Sequence, residues 1–138
     1  MGEAMGTLTG TWRLVAFEET LTGGECIHPY GEHPVGLLIY TDTGHMSVQI
    51  MHPNRRPLPE LAPEEIGADL VKEAVAGFTG FCGTYQVDAD DQVVIHHVQC
   101  HILPGSVGKD LKRKYELAGD RLVLRPSAGR VVTWERLK

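Results

Sequence analysis

Asp110-Leu111-Lys112-Arg113-Lys114-Tyr115-Glu116-Leu117-Ala118-Gly119-Asp120-Arg121-Leu122-Val123-Leu124-Arg125 alternates two residue sets, breaks at Gly119-Asp120, and resumes as a short apolar run. Period-two patterning on both sides of a brief Gly-containing turn is the pattern of an antiparallel hairpin. Lys112, Lys114 and Glu116 must face water. Residues two apart share a face of a strand, so Leu111, Arg113, Tyr115 and Leu117 are carried to the inner side. A guanidinium cannot shed its charge, and inside a fold it needs an anion, a carbonyl or water. An inward Arg next to an inward Tyr is therefore the most informative pair in the chain.

The same reading extends in both directions. Gly10 to Glu19 forms a first long strand, and Val35 to Thr41 and His45 to Met51 flank the turn Asp42-Thr43-Gly44. Phe81 to Asp88 and Gln92 to Leu103 are joined by acidic turn residues, and Arg130 to Leu137 closes the chain after Pro126-Ser127-Ala128-Gly129. About eight strands, mostly in hairpins, predict antiparallel pairing. One segment differs: Ile66, Leu70, Ala74 and Phe78 recur every four residues, behind Pro63 and the acidic Glu64 and Glu65 and ahead of Gly77. That pattern predicts one amphipathic helix over 63–78. Before it, His52 to Pro63 carries four prolines and reads as an extended loop near a barrel rim. The predicted fold is all-β, a closed antiparallel up-and-down barrel with one helix, because a long sheet hides one face and loses both edges by closing on itself.

Counting by twos assigns the lining. Met46, Val48 and Ile50 point inward, as do Gly83, Tyr85 and Val87, and Val94, His96, Val98, Cys100 and Ile102 form the more apolar set of their strand. His97 and His101 then point outward, and the side of Tyr40 is left open. Arg113 and Tyr115, joined by His96, suit a carboxylate or enolate-like oxygen on a mostly apolar ligand. The same Arg113 could instead close one barrel end, stacked on Trp12 or paired with Glu135, and the pattern does not separate the two.

Composition narrows the function classes. A chain of 138 residues with 42% hydrophobic content fits a single globular domain over 1–138. A net charge of −5 argues against a broad basic face for nucleic acid or an anionic membrane surface. No apolar run approaches the ~20 residues needed to span a bilayer as a helix. Residues 1–6 lack the basic and apolar regions of a secretory signal and are expected to be disordered or tag-derived. Three cysteines, Cys26, Cys82 and Cys100, without CxxC spacing point to reduced thiols and a cytoplasmic address. A homodimer is left open.

Gly10-Thr11-Trp12 at the start of the first strand is similar to the Gly-x-Trp opening of lipocalins. The ordered set Gly10-Thr11-Trp12-Arg13-Leu14, Pro29-Tyr30-Gly31, Pro34-Val35-Gly36, Leu38-Ile39-Tyr40-Thr41 and Gly44-His45-Met46-Ser47-Val48-Gln49 extends the likeness. It continues through Gly83-Thr84-Tyr85, His96-His97-Val98, Arg113-x-Tyr115-Glu116-Leu117 and Trp134-Glu135-Arg136. This set resembles the bacterial and fungal lipocalin-like domain family, grouped with the calycin barrels. The resemblance implies an up-and-down barrel with an interior cavity. Arg113-x-Tyr115 is also similar to the Arg-x-Tyr pair with which intracellular fatty-acid-binding barrels hold a carboxylate. Gln99 stands where the family usually has an acidic residue, and Leu103-Pro104-Gly105-Ser106 replaces an aromatic-rich Phe-Pro-x-Trp segment. Both departures imply an altered rim, with a changed ligand or a more open mouth.

Catalytic chemistry is sparsely signposted. His96 and His97 point to opposite faces, and His97 and His101 lie about 13 Å apart along one strand. A metal site would need His28, His33 or His52 from loops, and none is expected. No glycine-rich phosphate loop, paired-carboxylate signature or haem motif is present, so no cofactor is expected. The predicted function is binding of a small apolar molecule with an anionic or carbonyl end by Arg113, Tyr115, His96, Tyr40, Met46, Val48, Ile50, Tyr85 and Val98. The alternative is a cofactor-free isomerase, cyclase or lyase in a biosynthetic pathway. There His96 would act as base, Tyr85 or Tyr115 as proton donor, and Arg113 would stabilise an oxyanion. A core histidine bonded to a neighbouring tyrosine is the commoner state for His96.

Overall fold

The alternating runs fold as strands whose apolar sets share one lumen. The computed structural model describes residues 7–138, so the expectation for residues 1–6 lies outside the described residues. The strands are β1 (Gly10–Thr20), β2 (Cys26–Ile27), β3 (Val35–Tyr40), β4 (His45–Met51), β5 (Phe78–Asp88), β6 (Val93–His101), β7 (Asp110–Ala118), β8 (Arg121–Arg125) and β9 (Arg130–Arg136). Each pairs antiparallel with its neighbour, and β1 closes the barrel by pairing with β9 from Trp12↔Arg136 to Glu19↔Arg130. Eight strands form the wall. The sequence reading missed β2, which adds two residue pairs to β1.

The helix departs from expectation. Residues 63–78 do not form one helix: Pro63–Glu65 is a single 3-10 turn, Ile66 and Gly67 are extended, and α1 (Ala68–Ala76) follows. Phe78 begins β5 opposite Met51. The β-branched Ile66 and the glycine after it are poor helix formers, and Gly67 becomes the N-cap instead of an interior residue. No side chain of α1 is fully buried. Arg55 holds its C-terminal end through the Ala74 carbonyl and lies over the Phe78 ring, and Arg56 pairs with Glu73.

A second departure sits in β6. Cys82 pairs with Cys100, but the next residue, Gly83, pairs with Val98, so Gln99 is an extra residue on β6. This β-bulge inverts the alternation beyond it. Val94, His96 and Val98 are buried as expected, whereas Cys100 and Ile102 are exposed and do not line the lumen. The bulge brings the His97 carbonyl against Gly83, where an added Cβ would sit 1.9 Å from that oxygen.

One half of the barrel is packed solid. Leu8, Trp12, Tyr85 and Leu122 are each at most 2% exposed there, each contributing the roughly 1.5–3 kcal/mol typical of a buried large side chain. The Trp12 indole donates to the Leu8 carbonyl at 3.0 Å, and Arg136 lies over the Trp12 ring while donating to the carbonyls of Thr7 and Thr9. Arg136, not Arg113, stacks on Trp12, and Arg13, not Arg113, pairs with Glu135. Both of the end-closing contacts considered for Arg113 are made by other arginines.

Candidate functional site

The other half of the lumen is a cavity of about 360 Å³. Each of the eight wall strands contributes at least one residue to its lining. Val48 and Ile50 line it but Met46 does not, and Leu111 and Arg113 line it but Tyr115 does not. Phe17, Leu38, Leu124 and Val132 belong to the apolar wall, together with the rings of Tyr30 and Phe81. Tyr30 meets Phe17 edge-on, with ring centroids 5.0 Å apart.

The polar groups of this wall decide its chemistry. Tyr40, whose side was open in the sequence, is inward and 1% exposed but, contrary to its expected place in the binding set, does not border the cavity; it stands behind His96, with its hydroxyl 2.6 Å from His96 Nε2. Burial first, then the neighbouring Tyr85, holds the phenol protonated far above its ordinary pKa, against an opposing pull from Arg113. Burial, with the charge of Arg113 and His97 beside it, pulls His96 down to about 3, so the imidazole is neutral at physiological pH. Nε2 is the only hydrogen-bond partner the Tyr40 hydroxyl has among the described residues, so the phenol donates and Nε2 accepts. A neutral ring that accepts at Nε2 carries its proton on Nδ1.

That Nδ1–H has no partner among the described residues, and neither does the indole N–H of Trp134, another side chain of the same wall. Arg113 makes one long contact, 3.5 Å to the Pro126 carbonyl. Burial lowers its pKa and the nearby Arg130 acts in the same direction, while Tyr40 opposes both. Buried donors are ordinarily paired; the His96 and Trp134 N–H groups lie sealed within the wall, and Arg113, half-buried with a single long contact, is the under-used donor at the cavity itself.

The remaining expected site residues fall elsewhere. The Tyr85 hydroxyl donates to the Thr41 carbonyl at 2.7 Å in the packed half. Tyr115 is buried two residues further along β7 than Arg113, and Val98 is buried beside the bulge. Neither they nor Met46 border the cavity. His97 is on the outer face as expected, spanning three strands through Asp110 at 2.6 Å and Gln86 at 3.1 Å. His101, expected outside, lines the cavity and stacks on Phe81 with centroids 5.1 Å apart. Trp134 and Val132 were legible by counting twos along β9, but His101 was hidden by the bulge. Leu103 and Ser106, from the segment that departs from the family pattern, also border the cavity.

Comparison with known proteins places this geometry in context. A family model described as the lipocalin-like domain matches residues 9–136. A solved structure of a lipocalin-like protein from Bacteroides uniformis superposes with a TM-score of 0.52 at 16% identity, covering 96% of this chain and 100% of that one. No curated protein matches the chain.

Proposed function

The chain belongs to the lipocalin-like domain family, and from that premise we propose that its half-open lumen binds a small, mostly apolar molecule with one anionic or carbonyl end. The observation that carries this reading is Arg113, a half-buried guanidinium in the wall of a largely apolar cavity whose one hydrogen bond among the described residues is a long contact to the Pro126 carbonyl. An oxygen with lone pairs satisfies such a donor, and an aliphatic or aromatic body suits the wall of Phe17, Val48, Ile50 and Leu124. The volume lies at the lower end of the roughly 300–1,000 Å³ usual for small-molecule sites.

The acid–base alternative has less support. Of His96, Tyr85 and Tyr115, only His96 borders the cavity. Its basic nitrogen already accepts from Tyr40, and a pKa near 3 is far from the neutral range that suits a general base. Binding therefore stands ahead of an isomerase, cyclase or lyase. The reading calls for no cofactor, and a cytoplasmic address remains part of the proposal, resting on the free thiols.

Titration with an anionic fluorescent lipid probe tests it. Saturable one-site binding is expected, weakened about tenfold or more in Arg113→Ala, as befits loss of a charge-assisted hydrogen bond. Absence of binding, or equal affinity in the variant, overturns the reading.

A further inference from the structure

On the outer face where β2 lies against β1, away from the cavity, we propose a zinc site made by Glu18, Cys26 and His28. Among the described residues this is the one group of three potential ligands that converges: a carboxylate oxygen, a thiol sulfur and an imidazole nitrogen all lie within 4.8 Å of one another.

The local chain path explains the convergence. Leu21 to Glu25 is a tight loop closed by Leu21 N–H donating to the Glu25 carbonyl and Gly24 N–H to the Leu21 carbonyl, both at 2.8 Å. Gly24 sits at φ +88°, a conformation glycine adopts without a Cβ penalty. The loop sets Thr20 opposite Cys26 and Glu19 opposite Ile27, and the next step in that register brings Glu18 and His28 across from each other. Alternation then puts Glu18, Cys26 and His28 on one face of the ribbon. Glu19, on the other face, is engaged with Arg130. No hydrogen bond or ion pair occupies the Glu18, Cys26 or His28 side chains among the described residues.

The donor set selects the ion. Calcium and magnesium take oxygen ligands, whereas one thiolate, one imidazole and one carboxylate suit zinc, with water completing a tetrahedron. Binding displaces the Cys26 thiol proton to solvent, and thiolate and carboxylate together balance the charge of the ion. The ion would clasp a strand held by only two residue pairs. Tyr30, a cavity wall residue, follows His28 by two positions, so the clasp also steadies one side of the lumen.

The test uses the full chain with zinc alone, in competition with a chromophoric chelator, and with cobalt as a spectroscopic substitute. One zinc per chain is expected, weakened at least about tenfold in Cys26→Ser and in His28→Ala. Cobalt should show a thiolate charge-transfer band that Cys26→Ser abolishes and the Cys82→Ser/Cys100→Ser double variant keeps. All three ligand side chains are exposed or half-exposed, so these variants keep the core. No zinc binding below the millimolar range, or a thiolate band that survives Cys26→Ser, overturns the site.

Discussion

His96 is a histidine that cannot afford its proton. Its ring is 2% exposed, accepts from Tyr40, and has the Arg113 charge for a neighbour. In the unfolded chain the same group titrates near 6.5, while in the fold it stays neutral down to about 3. Between these values the unfolded state binds more protons, so stability is full above the upper one and falls as pH drops toward the lower. Chemical denaturation at about pH 7 and about pH 5 should show a loss on acidification that is smaller in His96→Gln, with a limiting slope of about 1.4 kcal/mol per pH unit. An equal loss in both proteins would refute the assignment. Tyr40→Phe leaves Nε2 buried without a donor and should lower stability by about 1–3 kcal/mol in the same assay. At this scale Arg113 and His96 were legible from alternation alone. A tyrosine partner for His96 was also expected, but not which tyrosine, because a hydrogen bond between β3 and β6 depends on the curvature that brings non-adjacent strands together.

Elements whose pattern was local matched expectation most closely. β4, β7 and β8 begin and end where alternation and turn residues place them. Gly44 and Gly119 occupy positive φ in the turns that their positions suggested. Two features escaped because their causes are not local. The bulge at Gln99 follows from pairing between β5 and β6, so a count along β6 alone runs out of phase after Val98. The break at Ile66-Gly67 competes with a four-residue periodicity that looks helical across it. Gly83→Ala forces a methyl group into the His97 carbonyl and should destabilise by about 1–3 kcal/mol or more, read from the thermal midpoint. A neutral result would mean the bulge relaxes freely. Because α1 is tied on by Arg55 and Arg56 and buries no residue fully, its amides should exchange by local opening, well before those of β1 and β9. Equal protection by native-state hydrogen exchange would count against that.

At the scale of the whole molecule, the lumen is divided between a solid half and an open one. The solid half carries the stability, so the open half tolerates change. Leu124→Phe adds bulk to the cavity wall and should remove probe binding while moving stability by about 1.5 kcal/mol or less. Undiminished binding in a folded variant would place the guest elsewhere. Closure of the barrel between β1 and β9 has a further consequence, in time instead of space. While the ribosome is still adding residues before Arg130, the nascent chain can at most hold an open sheet with two raw edges. The vessel exists only once β9 has emerged, so any passenger proposed for it boards after that strand is in place or at the moment the gate swings shut.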